Sequence, residues 1–269
     1  MRSGRVFLGL IIILILCSLL SLAVSKRVIN PSIKLSLKIT TASQGYILGE
    51  IVPLNFEIIN EESKEISLPG ELAMDGESLR VYIADDIGTF KEYLGPRSGF
   101  QIDGLYNDIK LKPKESFKSQ TPILWNSKPP TEYKGEVFAQ NLIETDYAMP
   151  KSGVYFVKAV LDIPGEVPSQ IESEPIQILL NNPVGDELKI WNRIKENGEF
   201  AHFMQTGNCK ISKTEEREKL LKEVQQIITK YPSSLLVSQM KQSIEKFQAN
   251  EERRKASLRK IQQNERKRP

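Results

Sequence analysis

The chain has one histidine, His202, and beyond its first 25 residues one cysteine, Cys209. A thiol and an imidazole are the pair from which a nucleophile and its base can be made. Here they stand seven residues apart with no residue evident to orient the ring, and a triad on His202 would need distant partners that spacing does not identify. A single histidine also excludes the two-histidine zinc-protease motif. His202 lies between Ala201 and Phe203 and is expected to pack in a helix, while Cys209 is expected in a linker, free or paired between molecules. Asp103, Asn107 and Asp108 put oxygen atoms into one loop without the spacing of a calcium loop. Asp85 and Asp86 read as a solvated turn, and Trp125 and Trp191 as core anchors ahead of sugar-stacking platforms. Gly49, Gly70, Gly76 and Gly88 stand apart and form no phosphate-cradling loop. No catalytic, cofactor-binding or metal-ligating residue is assigned, and no cofactor. A carboxylate-pair hydrolase stays open as an alternative, although no two of the many Asp and Glu can be paired from sequence.

The elements that would carry such residues are mainly strands. Leu35, Leu37 and Ile39 alternate with polar residues, as do Val52, Leu54, Phe56 and Ile58 up to Asn60. Ile66 and Leu68 precede a stop at Pro69-Gly70. Leu79, Val81 and Ile83 form another strand, and Phe90 to Leu94 a further short one. Ile109 and Leu111 follow, and Pro122 to Trp125 reads as an edge strand because proline lacks the ladder donor. Tyr155, Val157, Ala159 and Leu161 alternate, and Ile176, Ile178 and Leu180 close the set. Gly45 and Gly49 punctuate a turn, and residues 98–107 and 126–150 read as long loops. Seven to nine short strands without intervening helices predict an antiparallel β-sandwich over residues 31–181.

Three motifs carry a resemblance. Tyr46-Ile-Leu-Gly-Glu50 leading into Val52, Leu54, Phe56 and Ile58 resembles the second strand of bacterial immunoglobulin-like modules. Leu111-x-Pro113-x-Glu115 is similar to their leucine-x-proline-glycine-glutamate turn, with Lys114 where the glycine usually stands. Ser152-Gly153-x-Tyr155-x-Val157-x-Ala159 resembles their penultimate strand. Intracellular proteinase inhibitor domains and macroglobulin-type modules share this grammar. The resemblance implies an immunoglobulin-like fold, and an exported protease inhibitor as one function; no inhibitory residue carries over.

Residues 184–250 read as helical. Asp186 is expected to cap a helix whose apolar residues are Leu188, Trp191 and Ile194, and Phe200, Phe203 and Met204 add a turn or short helix. Ser212 and Glu215 fit a capping box before Leu220, Leu221, Val224, Ile227, Ile228 and Tyr231, a stripe stopped by Pro232. Ser233 or Ser234 starts a third helix with Leu236, Val237, Met240, Ile244 and Phe247 on one face. Together these predict a C-terminal helical hairpin, and the Ile228-x-x-Tyr231-Pro232-x-Ser234 turn is similar to those of tetratricopeptide-like envelope proteins. The fold expected is therefore mostly β with an α tail.

The two ends differ from the body. Arg2 and Arg5 precede an uncharged apolar run from Val6 to Val24, which ends in Ala23-Val24-Ser25. Residues 1–25 are a signal peptide or an uncleaved N-terminal membrane anchor, so export is expected, to the periplasm, the extracellular space or a membrane face. Cys17 is an apolar member of that run. Residues 251–269 hold eight Lys/Arg against three Glu, a net +5, while the whole chain carries +3. This basic tail reads as a frayed helix end that can meet an anionic surface; with no interleaved aromatic residues, nucleic acid is not expected. These features together predict a non-enzymatic binding or scaffold protein of a bacterial envelope, with a protein partner reached through the C-terminal helices.

Overall fold

A computed structural model describes residues 34–68, 78–86, 88–95, 108–126, 146–163, 169–209 and 214–265. The apolar N-terminal run, Pro69-Gly70, residues 98–107, Ser212 and most of the segment 126–150 lie outside them.

The strands are β1 (Leu35–Thr41), β2 (Gly45–Ile47), β3 (Val52–Asn60), β4 (Ile66–Leu68), β5 (Leu79–Asp85), β6 (Lys91–Tyr93), β7 (Ile109–Leu111), β8 (Ser116–Ile123), β9 (Trp125–Asn126), β10 (Asp146–Tyr147), β11 (Gly153–Ile163), β12 (Ser169–Glu172) and β13 (Ile176–Asn181). The helices are α1 (Gly185–Ile194), α2 (Gly198–Thr206), α3 (Thr214–Lys230) and α4 (Leu235–Glu265). One sheet runs β1-β3-β8 and the other β2-β13-β11-β5-β6, with β12 also on β11. β4 pairs with β7, and β9 with β10. All pairings are antiparallel except β13 with β2, where the chain has crossed from the first sheet to the second. Such an arrangement is an immunoglobulin-like sandwich followed by C-terminal helices.

Alternation drives the packing. In β3, Val52, Leu54, Phe56 and Ile58 are buried. They share a core with Leu37 and Ile39 of β1 and with Val81, Val157, Leu161 and Ile178 of the facing sheet. Each such side chain contributes roughly 1.5–3 kcal/mol when withdrawn from water. Tyr155 makes a tyrosine corner: its hydroxyl donates to the Lys151 carbonyl at 3.0 Å and accepts from the Lys151 amide at 3.2 Å. Between β12 and β13 the register against β11 slips by one residue, a bulge held by Ser173, whose amide donates to the Ala159 carbonyl and whose Oγ accepts from the Ala159 amide.

Several elements depart from the sequence expectation. Gly45 belongs to a strand, since β2 lies parallel to β13. The edge strand begins at Ser116, because Ser116 to Thr121 is largely polar on both faces and shows no alternation. The segment read as a long loop contains β9 and β10, paired at Tyr147 and Trp125. Asp186 is not the cap of α1: Val184 holds that position without a side-chain bond, and Asp186 sits in the first turn, paired with Lys189 at 2.8 Å. Leu188 is 42% exposed, and Ile190 takes its place on the buried face. Ser234 does cap α4, accepting from the Val237 amide at 3.2 Å, and α4 continues without a break past Asn250.

Lys114 is the one described non-glycine residue with positive φ, at 66°. It occupies the third position of the turn Lys112–Glu115, which the Glu115 amide closes on the Lys112 carbonyl at 3.0 Å. That position favours glycine, because a Cβ crowds the backbone there. Lys114→Gly is expected to stabilise the protein by up to about 1 kcal/mol, read as a higher urea midpoint. An unchanged or lower midpoint would mean that the Lys114–Glu61 ion pair outweighs the backbone effect.

Candidate functional site

The helices share the core of the sandwich, and the junction is where buried polar and aromatic groups gather. Tyr147 stands between the two tryptophans, its ring centroid 5.3 Å from that of Trp125 and 4.8 Å from that of Trp191, both edge to face. Its hydroxyl donates to the Ile194 carbonyl at the end of α1. Each tryptophan presses on a glycine. A Cβ on Gly49 would lie 2.7 Å from the Trp191 ring, and one on Gly198 2.6 Å from the Trp125 ring. Gly49 also needs its φ of +87° for the turn between β2 and β3.

Below this aromatic layer, Gln205 of α2 is almost wholly buried. Its Oε1 accepts from the Trp125 amide at 2.7 Å, and its Nε2 donates to the Tyr93 hydroxyl at 2.6 Å and to the Pro122 carbonyl at 2.8 Å. The Tyr93 hydroxyl donates in turn to the Trp125 carbonyl at 3.0 Å. Gln239 of α4 exchanges two bonds with the backbone of Ile51, as a neighbouring strand would. Glu187 of α1 receives the Ser234 hydroxyl at 2.7 Å and the Leu235 amide at 2.6 Å, closing the N-terminus of α4 from another element. A carboxylate there meets the positive end of the helix dipole.

Glu50 stands near this clamp, accepting from the Ile47 amide at 2.9 Å. Burial raises its carboxyl above the ordinary glutamate value; the Ile47 amide lowers it in part, and the Glu187 charge raises it further. The folded state therefore keeps a proton on Glu50 at pH values where the unfolded chain has lost it. Stability falls as pH rises from the ordinary value through the raised one, and the loss persists above it. Glu50→Gln keeps an acceptor for Ile47 and removes the charge. It is expected to raise Tm at pH 7 and to leave Tm unchanged in acid below the carboxylate range; an equal shift at both pH values would assign the effect to packing.

The residues singled out from sequence do not converge. His202 is buried within α2. Cys209 is half-buried, and burial pushes its thiol up to about 11, with Arg217 opposing. At neutral pH it is a protonated thiol, the reverse of what a nucleophile needs. Asp103 and Asn107 lie outside the described residues, and Asp108 accepts from the Ser67 hydroxyl at 3.0 Å. Asp85 and Asp86 are exposed at the end of β5. Among the described residues no three His, Cys, Asp or Glu side chains gather as a metal site. Sequence reasoning missed which large apolar side chains stay in water: Val184 is 75% exposed, Leu188 42% and Leu235 46% beside the helices, and Leu179 41% and Phe156 36% on the sandwich. Val184 and Leu188 lie one turn apart at the start of α1, and Leu235 opens α4 beside Glu187. No sequence signal separates Leu188 from Trp191 and Ile194, with which it recurs at helical spacing.

No protein-family model matches the chain, and no curated protein matches it. Among solved structures, the CARDB domain of a Pyrococcus furiosus protein in complex with di-metal ions is 13% identical over 55% of this chain and 93% of that one, with a TM-score of 0.27. A β-glucosidase from Erythrobacter marinus is 12% identical over 55% of this chain and 16% of its own, at 0.28. A sporulation control protein from Bacillus subtilis is 11% identical over 61% and 55%, at 0.30. The chain thus spans less than a fifth of the glucosidase, and no reaction, ligand or partner transfers from similarities of this size.

Proposed function

We propose that this chain is a non-enzymatic binding or scaffold protein of a bacterial envelope, exported or held at a membrane through residues 1–25, and that it engages a protein partner with its helical layer. The observation that carries the reading is the exposure of Val184, Leu188 and Leu235, large apolar side chains in water on elements that Glu187 clamps together. Exposed apolar side chains on a rigid support suit recognition. The polar groups of the junction, Gln205, Gln239 and Glu187, are meanwhile engaged in structural bonds. We read α3 and α4 as a tetratricopeptide-like hairpin, on the turn Tyr231-Pro232-Ser233-Ser234 and the Arg217–Glu251 pair at 3.8 Å. Among the described residues no helix is long and apolar enough to cross a membrane; the apolar run at residues 6–24 lies outside them.

Crosslinking in cells, with tagged full-length chain beside a Leu188→Asp, Leu235→Asp variant, tests the reading. One partner should crosslink to α1 or α4 in the parent and vanish in a variant with unchanged circular dichroism. Crosslinks that survive both substitutions would move the binding surface elsewhere.

A further inference from the structure

Residues 251–269 separate from the body in charge, and α4 gives those up to Glu265 a shape. Asn250 is tied to α2's flank through Asn208 at 2.9 Å, and Glu251 pairs with Arg217 of α3 at 3.8 Å. Because Arg217 lies within the first turn of α3, that helix runs out as a neighbour about one turn after Glu251. The helix nevertheless continues to Glu265, and at 1.5 Å per residue its last eleven residues reach roughly 16 Å beyond α3. The described side chains from Glu252 to Ser257, and Arg259, are exposed. They include Arg253, Arg254, Lys255 and Arg259; Arg254 lies 3.7 Å from Glu251, and Lys255 donates to Glu252 at 3.1 Å.

We infer that this arm docks electrostatically on an anionic phospholipid surface. The inference rests on the membrane-associated reading above and deepens it. Charge complementarity supplies the attraction: Lys and Arg near an anionic leaflet each add to binding, and the effect decays within a Debye length. The basic side chains point to more than one side of the helix, as spacing at 253, 254, 255 and 259 dictates. A protein groove instead takes apolar anchors at i, i+3 or i+4, and i+7. Residues 251–269 contain only two large apolar residues, Leu258 and Ile261. The arm of a second copy would bring like charge against like charge. The end of a helix frays in water, so a surface that orders it would show in its backbone.

The test uses the full chain in nanodiscs of phosphatidylcholine alone and of phosphatidylcholine with about 30% phosphatidylglycerol, an anionic fraction chosen to give a negative surface potential. Hydrogen exchange of residues 252–265 should slow about tenfold or more in the anionic discs only, and the protection should disappear in about 0.5 M salt. A variant with Arg253, Arg254, Lys255 and Arg259 each changed to Gln should lose the protection with its sandwich exchange unchanged. If the chain enters both kinds of disc but the arm exchanges equally in each, the arm proposal fails and membrane association stands. If the chain enters neither, both fail. Protection by added polyglutamate without protection by anionic discs would overturn the lipid assignment in favour of an acidic protein.

Discussion

Trp191→Ala is expected to cost about 3–5 kcal/mol of stability, the range for removing a large aromatic side chain from a packed core. Trp191 is 8% exposed, lies edge to face with Tyr147, and covers Gly49 so closely that the glycine has no room for a Cβ. Its removal opens a cavity among α1, β10 and the β2–β3 turn, and the Gly49 backbone cannot close in without losing the turn. A domain of this kind has about 5–15 kcal/mol in total, so the loss is a large share. Sheet and helices are bound by one core, and urea curves followed by circular dichroism and by Trp125 fluorescence should shift together as one transition. Separate midpoints, with β signal outlasting helix signal, would show that the helices fold apart from the sandwich. A shift below about 1 kcal/mol would show that the site refills.

The second large effect is at Gln205. Gln205→Leu conserves bulk but leaves the Trp125 amide, the Pro122 carbonyl and a contact of the Tyr93 hydroxyl without the partner they now have. Each buried group left unmatched costs about 1–3 kcal/mol, and water has limited access to a side chain 1% exposed. A loss of about 3 kcal/mol is expected, measured as a lower urea midpoint at unchanged slope. Gln205→Glu should restore little, because its carboxylate would face the Pro122 carbonyl where an N–H now donates. If Gln205→Leu were neutral, the bond between α2 and the β8–β9 corner would be dispensable, and the helical layer would be held by apolar contacts alone.

What could be read from sequence followed from short-range periodicity. Strands such as Val52–Asn60 and Gly153–Ile163 bury alternate residues against one layer, and that pattern survives any arrangement of the sheets. The motif around Lys114 marked a turn whose third residue wants positive φ, and the structure puts Lys114 there. Of the edge strand, Ser116 to Thr121 escaped because an edge strand is only half covered. β10 escaped because two residues are too few to show a period. Leu188, Trp191 and Ile194 recur at helical spacing, which does not tell which of them is covered. The exposure of Leu188 depends on where α1 meets its neighbours, and Ile190, Trp191 and Ile194 satisfy that contact without it.

The sequence alone therefore established a sandwich of alternating strands, amphipathic helices after Pro183, and a basic end that repeats no core pattern. It could not establish that Trp125, Tyr147 and Trp191 meet, that Gln205 closes the β8–β9 corner, or that Glu187 caps a helix beginning 48 positions later. Those contacts join residues far apart along the chain. Local periodicity records which side of an element is buried, whereas the identity of what covers it is set by long-range packing.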